Sequence, residues 1–245
     1  MEFYMLVLAL DTTTRQGSIA LARDGGVLSS YSGNADITHG ERLPGDLLRV
    51  LDAHATRVSD IDVFAVAAGP GSFTGLRIGI ATMQGLALAN GKSLVGISAL
   101  DALYALIPSL SPKPSGLSPA SEASTWMDAQ RGQVFSAVYK DGVTIEDAIV
   151  EKPAAILSRW QFERRQPQAF IGDGALLYRD VIHRAFPHAA IVEPIPTLAP
   201  AIARLAERHV QRHGPAPPDA IRPVYIRRSD AELARDRKAG VAGPA

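Results

Sequence analysis

Asp11, Thr12 and Thr13 close a short apolar run, Met5 to Leu10. An aspartate in that place can orient a metal-bound water, and hydroxyls with loop N–H groups can hold a phosphate. The same three residues can equally do no more than form a turn. A second candidate is the run Ala67-Ala68-Gly69-Pro70-Gly71-Ser72-Phe73-Thr74-Gly75-Leu76-Arg77-Ile78-Gly79. Its glycines fall where a strand-like run meets a helix-like one. Such a junction brings backbone N–H groups to an anion, or brings two helices close together. It is not a P-loop, because Leu76 and Arg77 follow Gly75 where Lys and Ser or Thr are required. Gly91-Lys92-Ser93 has the right ending, but Gly85 is one residue too distant and the order runs from helix to strand. Ser72 lacks a nucleophile elbow, since Pro70 and Thr74 stand where its glycines belong. His209 and His213 share a helical face at a ligand spacing. They lie in a basic segment at a helix end, where charge–dipole attraction explains them more simply.

Short elements must position these residues. The segments before Asp11, from Ser18 to Ala22 and from Val27 to Tyr31 read as three antiparallel strands joined by tight turns. Leu43, Leu47, Val50 and Leu51 follow a helical period, with Pro44 placed in a first turn and Leu48 a surplus apolar residue outside the stripe. Val63–Ala68 reads as a buried strand, and Phe73–Asn90 as a helix apolar nearly all round. Glycines inside a helix cost about 1 kcal/mol each relative to alanine, so close packing must offset them. Leu94–Ile97 reads as a strand, and Ser98 caps a helix running to about Leu106. Pro108–Ser124 reads as a linker. Beyond it the opening repeats: Thr125-Trp126-Met127, then Asp128, a polar loop with Gly132, a strand from Gln133 to Tyr139, and the turn Asp141-Gly142. Two such copies point to two related lobes. A strand at 169–171, the loop Gly172-Asp173-Gly174, a helix from Ala175, a strand near Ile191 and a helix over 200–209 complete the second. The expected division is 1–107, a linker over 108–124, a second lobe over 125–240 and a disordered tail over 241–245.

The 245 residues are 47% hydrophobic, with 25 basic and 25 acidic side chains and no cysteine. Disulfides, thiolate metal sites and a cysteine nucleophile are therefore excluded, and so is a strongly basic footprint for gripping nucleic acid alone. No apolar stretch reaches the ~18 residues of a membrane span, and a cytoplasmic protein is expected.

The chain resembles the TsaB (YeaZ) family. The resemblance rests on Leu8-Ala9-Leu10-Asp11-Thr12-Thr13, on Gly69 to Gly79, on Gly96-Ile97-Ser98-Ala99-Leu100, on Asp128 to Phe135 and on Pro223-Val224-Tyr225-Ile226-Arg227. It implies an α/β, actin-like ATPase (ASKHA) fold of two ribonuclease-H-like lobes, with mixed sheets flanked by helices. It also implies a noncatalytic subunit that heterodimerises with the paralogous enzyme TsaD. TsaD moves a threonylcarbamoyl group to N6 of the adenosine beside the tRNA anticodon. TsaE would be a further partner, tRNA an indirect one, and a homodimer the state of the chain alone. His39, Glu41, Arg42 and Leu43 resemble the start of the family's first interface helix, with Gly40 replacing Ser. TsaD-type enzymes bind metal through a His-x-x-x-His pair; here Leu43 stands four residues after His39 where the second His belongs, so no metal site is expected. The expected interface residues are Leu43, Leu47, Leu48, Leu51, Phe73, Leu76, Arg77 and Ile80. On this reading the glycines from 69 to 79 open an interface helix. No cofactor is required, and an ATP or ADP contact would fall to Asp11, Thr12 and Thr13. The alternative is an independent nucleotide-hydrolysing enzyme or a protease of the same fold. A third option is direct tRNA binding through Arg222, Arg227, Arg228, Arg235, Arg237 and Lys238.

Overall fold

A computed structural model describes residues 4–107, 121–193 and 195–227. Residues 108–120 of the expected linker, the 241–245 tail, Arg228, Arg235, Arg237 and Lys238 lie outside them.

The first half runs β1 (Leu6–Asp11), β2 (Ser18–Arg23), β3 (Gly26–Ser32), α1 (His39–Asp52), β4 (Val63–Gly69), α2 (Phe73–Ala89), β5 (Ser93–Ser98) and α3 (Ala99–Tyr104). The second repeats that plan with β6 (Ala123–Asp128), β7 (Val134–Lys140), β8 (Val143–Glu151), α4 (Pro153–Phe162), β9 (Ala169–Ile171), α5 (Asp173–Leu177), α6 (Arg179–Ala185), β10 (Ala190–Ile191) and α7 (Ala199–His213). The sheets have orders β3-β2-β1-β4-β5 and β8-β7-β6-β9-β10. In each, the hairpin strands are antiparallel and the rest parallel: β1 pairs β2 from Leu6↔Arg23 to Asp11↔Ser18, and β4 in parallel from Val7↔Val63. This doubled plan is the actin-like ATPase fold that the resemblance implied.

The period of two along each strand decides which layer it feeds. Leu6, Leu8 and Leu10 of β1 join Phe64 and Val66 of β4 in a core beneath α1 and α2. The alternate residues are small (Ala9, Ala20, Ala22, Ala65 and Ala67) and face a second core together with Ala199, Ala203 and Ala206 of α7. Alanine on both surfaces lets that helix lie close to the sheet. Trp126, Val138, Trp160 and Phe170 fill a third core between the second sheet and α4, α6.

The two halves exchange their last helices. α7, from the second half, packs on β1, β2, β4 and β5, while α3, from the first, packs on β6 and β7. One central core therefore draws on both sheets.

Three expectations need correction. β6 begins at Ala123, inside the stretch expected as linker. Pro44 is the sixth residue of α1 and not in its first turn, because Thr38 and Glu41 start the helix earlier: the Glu41 carboxylate accepts from the Thr38 N–H at 3.2 Å and hydroxyl at 2.6 Å. The last helix begins at Ala199 and extends to His213, beyond the expected end at 209.

Candidate functional site

Each half presents its first hairpin to the other. Asp11 ends β1, and its Oδ1 accepts from the Thr13 N–H at 2.8 Å and the Thr13 hydroxyl at 2.6 Å. Asp128 ends β6, and its Oδ1 accepts from the Gln130 N–H at 2.9 Å. The same carboxylate-to-i+2 turn thus closes the first strand of both lobes. A helix is seated on each hairpin. On the first, the Ser72 N–H donates to the Thr13 carbonyl at 2.8 Å, the Thr12 hydroxyl to the Gly75 carbonyl at 2.8 Å, and Ser72 caps α2 by accepting from the Gly75 N–H. On the second, the Asp128 N–H donates to Asp173 at the head of α5 at 3.0 Å.

This seating explains the glycines. A Cβ at Gly75 would overlap the Thr12 carbonyl oxygen, and one at Gly79 the Thr12 hydroxyl. A Cβ at Gly71 would overlap the Thr13 side chain. Within 71–79 the close approach is therefore made by the chain's own hairpin, and the expectation that these small residues admit another subunit is corrected. Gly85 differs, because a Cβ there meets open space.

The expected interface set divides the same way. Leu43, Leu47, Leu51 and Ile80 belong to the core under α1 and α2, and Leu76 is buried as well. Their assignment to a partner surface is corrected: the amphipathic stripe faces the first sheet. Leu48 stays outside at 57% exposed, and so does Leu88 near the end of α2 at 60%. Phe73 and Arg77 are exposed but engaged. Phe73 stacks on Tyr225 with ring centroids 4.7 Å apart, the Arg77 guanidinium lies 4.0 Å over the Phe73 ring, and its Nε–H donates to the Tyr225 hydroxyl at 3.0 Å. Sequence reading missed this triple because Tyr225 lies 148 residues beyond Arg77; the shared signal was that Tyr225 and Phe73 sit in two of the motifs that carry the family resemblance.

Between the hairpins lies a cleft of about 840 Å³. Thr13, Thr14 and the Gly71–Thr74 turn line one wall, and Asp128, Gln130, Arg131 and Asp173 the other. Asp11 opens instead on an adjoining cavity of about 310 Å³, together with Asp173 and Arg15. Burial pushes the Asp11 carboxyl above the usual carboxylate range, opposed by its bonds from Thr13 and reinforced by nearby Asp173. Burial raises Asp173 too, with Asp128 adding to it. The hairpin fits a phosphate poorly: Asp11, Thr12 and Thr13 are buried, the Thr12 hydroxyl is committed to α2, and the loop carbonyls at 12 and 13 face the glycines.

His39 is held as a structural residue, with Nε2 2.9 Å from the Thr14 carbonyl and Nδ1 2.9 Å from Arg42; burial lowers its pKa. Arg42 in turn pairs with Asp46 and donates to the Gln16 carbonyl, fixing the hairpin to α1. His209 and His213 lie with rings 4.9 Å apart on the exposed end of α7. Among the described residues no group of three or more His, Asp or Glu is placed to hold a metal ion, and no helix is long and apolar enough to cross a membrane.

Residues 14–235 match a family model described as TsaD, tRNA N6-adenosine threonylcarbamoyltransferase. The tRNA threonylcarbamoyladenosine biosynthesis protein TsaB of Bacillus subtilis is 26% identical over 231 residues, 93% of this chain and 96% of that protein. Its Escherichia coli counterpart is 40% identical over 96 residues, 39% of this chain and 41% of that protein. A crystal structure of an uncharacterized Pseudomonas aeruginosa protein with similarity to peptidase YEAZ superposes with a TM-score of 0.72 at 25% identity, covering 91% of this chain and all of that one.

Proposed function

The chain belongs to the TsaD family, as a member of its TsaB (YeaZ) kind, and from that premise we propose that it is a noncatalytic subunit of the machinery that makes threonylcarbamoyladenosine in tRNA. It acts in the cytoplasm by docking a TsaD-type enzyme through the outer faces of α1 and α2. One observation carries the docking. Leu48 and Leu88 are large, apolar and exposed, on two helices that touch each other. Around them Pro44, Gly45, Ala81 and Gly85 are exposed and small or flat, so a partner helix can approach closely. The noncatalytic role is supported by the first hairpin, whose carboxylate and hydroxyls bond within the chain and not toward the cleft. A specific interface of this kind covers about 800 Å² per partner, and alone the same face serves a homodimer. TsaE and tRNA join through the enzyme subunit.

Leu48→Glu and Leu88→Glu test the docking. Both variants should fold as the parent does, fail to co-purify with the TsaD-type enzyme of the same organism, and fail to support threonylcarbamoyl transfer to tRNA in a reconstituted reaction. Unchanged co-purification by both would remove this face. Transfer at full rate with the chain left out would remove the proposed function. ATP turnover by the chain alone, lost in Asp11→Ala, would favour the independent enzyme instead.

A further inference from the structure

After α7 the chain returns to the first lobe and runs along α2. The Gln84 side-chain amide donates to the Pro218 and Ile221 carbonyls, each at 3.0 Å. The Val224 N–H donates to the Ala68 carbonyl at 2.7 Å, and the Val224 carbonyl lies where a side chain on Gly69 would stand. Gly69 has φ +127°, a backbone conformation suited to glycine, so the approach is built into the end of β4. Tyr225 then joins Phe73 and Arg77 at the first turns of α2. Two residues on, the chain has crossed the cleft. The Arg227 guanidinium donates to the Gln133 side-chain oxygen and, at 3.4 Å, to the Gln130 carbonyl.

The loop it reaches is held in an unfavourable backbone conformation. Gln130, Arg131 and Gly132 follow one another at φ +60°, +57° and +74°. Two of the three carry side chains, for which that region is costly, so surrounding contacts must over-determine it. Those contacts include the Asp128 turn on one side, the loop's own Ala129 N–H to Gln133 carbonyl and Gln133 N–H to Gln130 carbonyl bonds, and Arg227 on the other side.

We propose that Val224–Arg227 is a strap across the mouth of the cleft, which locks the second-lobe hairpin loop 129–133 to the first turns of α2 and transmits changes at α2 to that loop. The link is a property of the chain alone and does not depend on the proposed docking. It gives the outer face of α2 a mechanical route to the far wall of the cleft.

Amide hydrogen exchange followed by mass spectrometry on the isolated chain tests this. Tyr225→Ala cuts the strap at the first lobe, and Arg227→Ala cuts it at the second. Both should speed exchange of residues 129–133 by about tenfold, while β1 and β4 exchange as in the parent. Arg77→Met is the gentler first-lobe cut and carries the test should Tyr225→Ala fold poorly; it should also speed loop exchange. Tyr225→Phe keeps the ring stack and should fall between the parent and Tyr225→Ala. If the first-lobe cuts loosen only 221–227 and leave 129–133 at the parent rate, the strap transmits nothing and the proposal fails. It fails also if Arg227→Ala leaves the loop unchanged.

Discussion

Replacing glycine by alanine at two places in α2 should move stability in opposite directions. Gly79 and Gly85 both lie inside the helix, so either change gains about 1 kcal/mol of helix propensity. At Gly85 the new methyl meets open space, and that gain stands. At Gly79 the methyl overlaps the Thr12 hydroxyl, which donates at 2.8 Å to the Gly75 carbonyl in a buried place. To relieve the overlap Thr12 must rotate, losing that bond at about 1–3 kcal/mol, or α2 must move off the hairpin, at about 1–3 kcal/mol for overpacking. The net expectation is about 1 kcal/mol of stabilisation for Gly85→Ala and, after the same propensity gain, up to about 2 kcal/mol of destabilisation for Gly79→Ala. Urea unfolding at constant slope reads both as shifts in midpoint. Thr12→Ala completes a cycle: of the three Thr12 atoms that crowd the Gly79 methyl only Cβ, at 3.3 Å, would remain, so Gly79→Ala should cost less in that background. Equal stabilisation by both glycine changes, or an additive cycle, would show that α2 does not sit on Thr12.

Three further outcomes follow from the same packing. Asp11→Asn keeps an oxygen for Thr13 but cannot ionise. Because burial raises the folded pKa of Asp11, its favourable contribution is whole below the unfolded value of about 4 and is lost as pH rises through the folded one. The stability of Asp11→Asn relative to the parent should therefore grow from acid to neutral pH in chemical denaturation, and a flat or falling difference would contradict it. Leu47→Ala should cost about 2–5 kcal/mol in urea unfolding, whereas its neighbour Leu48→Ala should stay within about 0.5 kcal/mol, because only the first lies in the core. Tyr139→Phe removes a hydroxyl that donates to Asp101 at 2.7 Å and should cost about 1 kcal/mol by the same assay.

The repeat was legible because its signals are local. An aspartate ending a strand, a polar loop, a glycine and a second strand occur twice, and both aspartates make the same turn. The central helices were legible as elements but not in their contacts. Periodicity marks a face of α1 without saying what covers it, so Leu43, Leu47 and Leu51 read as easily toward a partner as toward β1. In α2, apolar nearly all round, no stripe separates Leu76 and Ile80 from Leu88. The partner of Gly75 and Gly79 is Thr12, more than sixty residues away, and nothing in either segment names the other. β8 and α4 went unread for a different reason. β8 is an edge strand whose Val143 and Ile145 are exposed, so its alternation is blurred, and α4 (PAAILSRWQF) scatters its apolar residues, with Phe162 exposed while Ile156, Leu157 and Trp160 are buried.

The exchanged terminal helices make the two halves of the chain depend on each other. A half on its own would leave the alanine-lined face of β1, β2 and β4 without α7 and would strip α3 of its packing on β6 and β7. Two copies of a half would repair each other by trading that helix, as a domain-swapped pair does. The core of each half is therefore complete only when the other half supplies its helix. A chain cut into its halves should regain structure only when both are present.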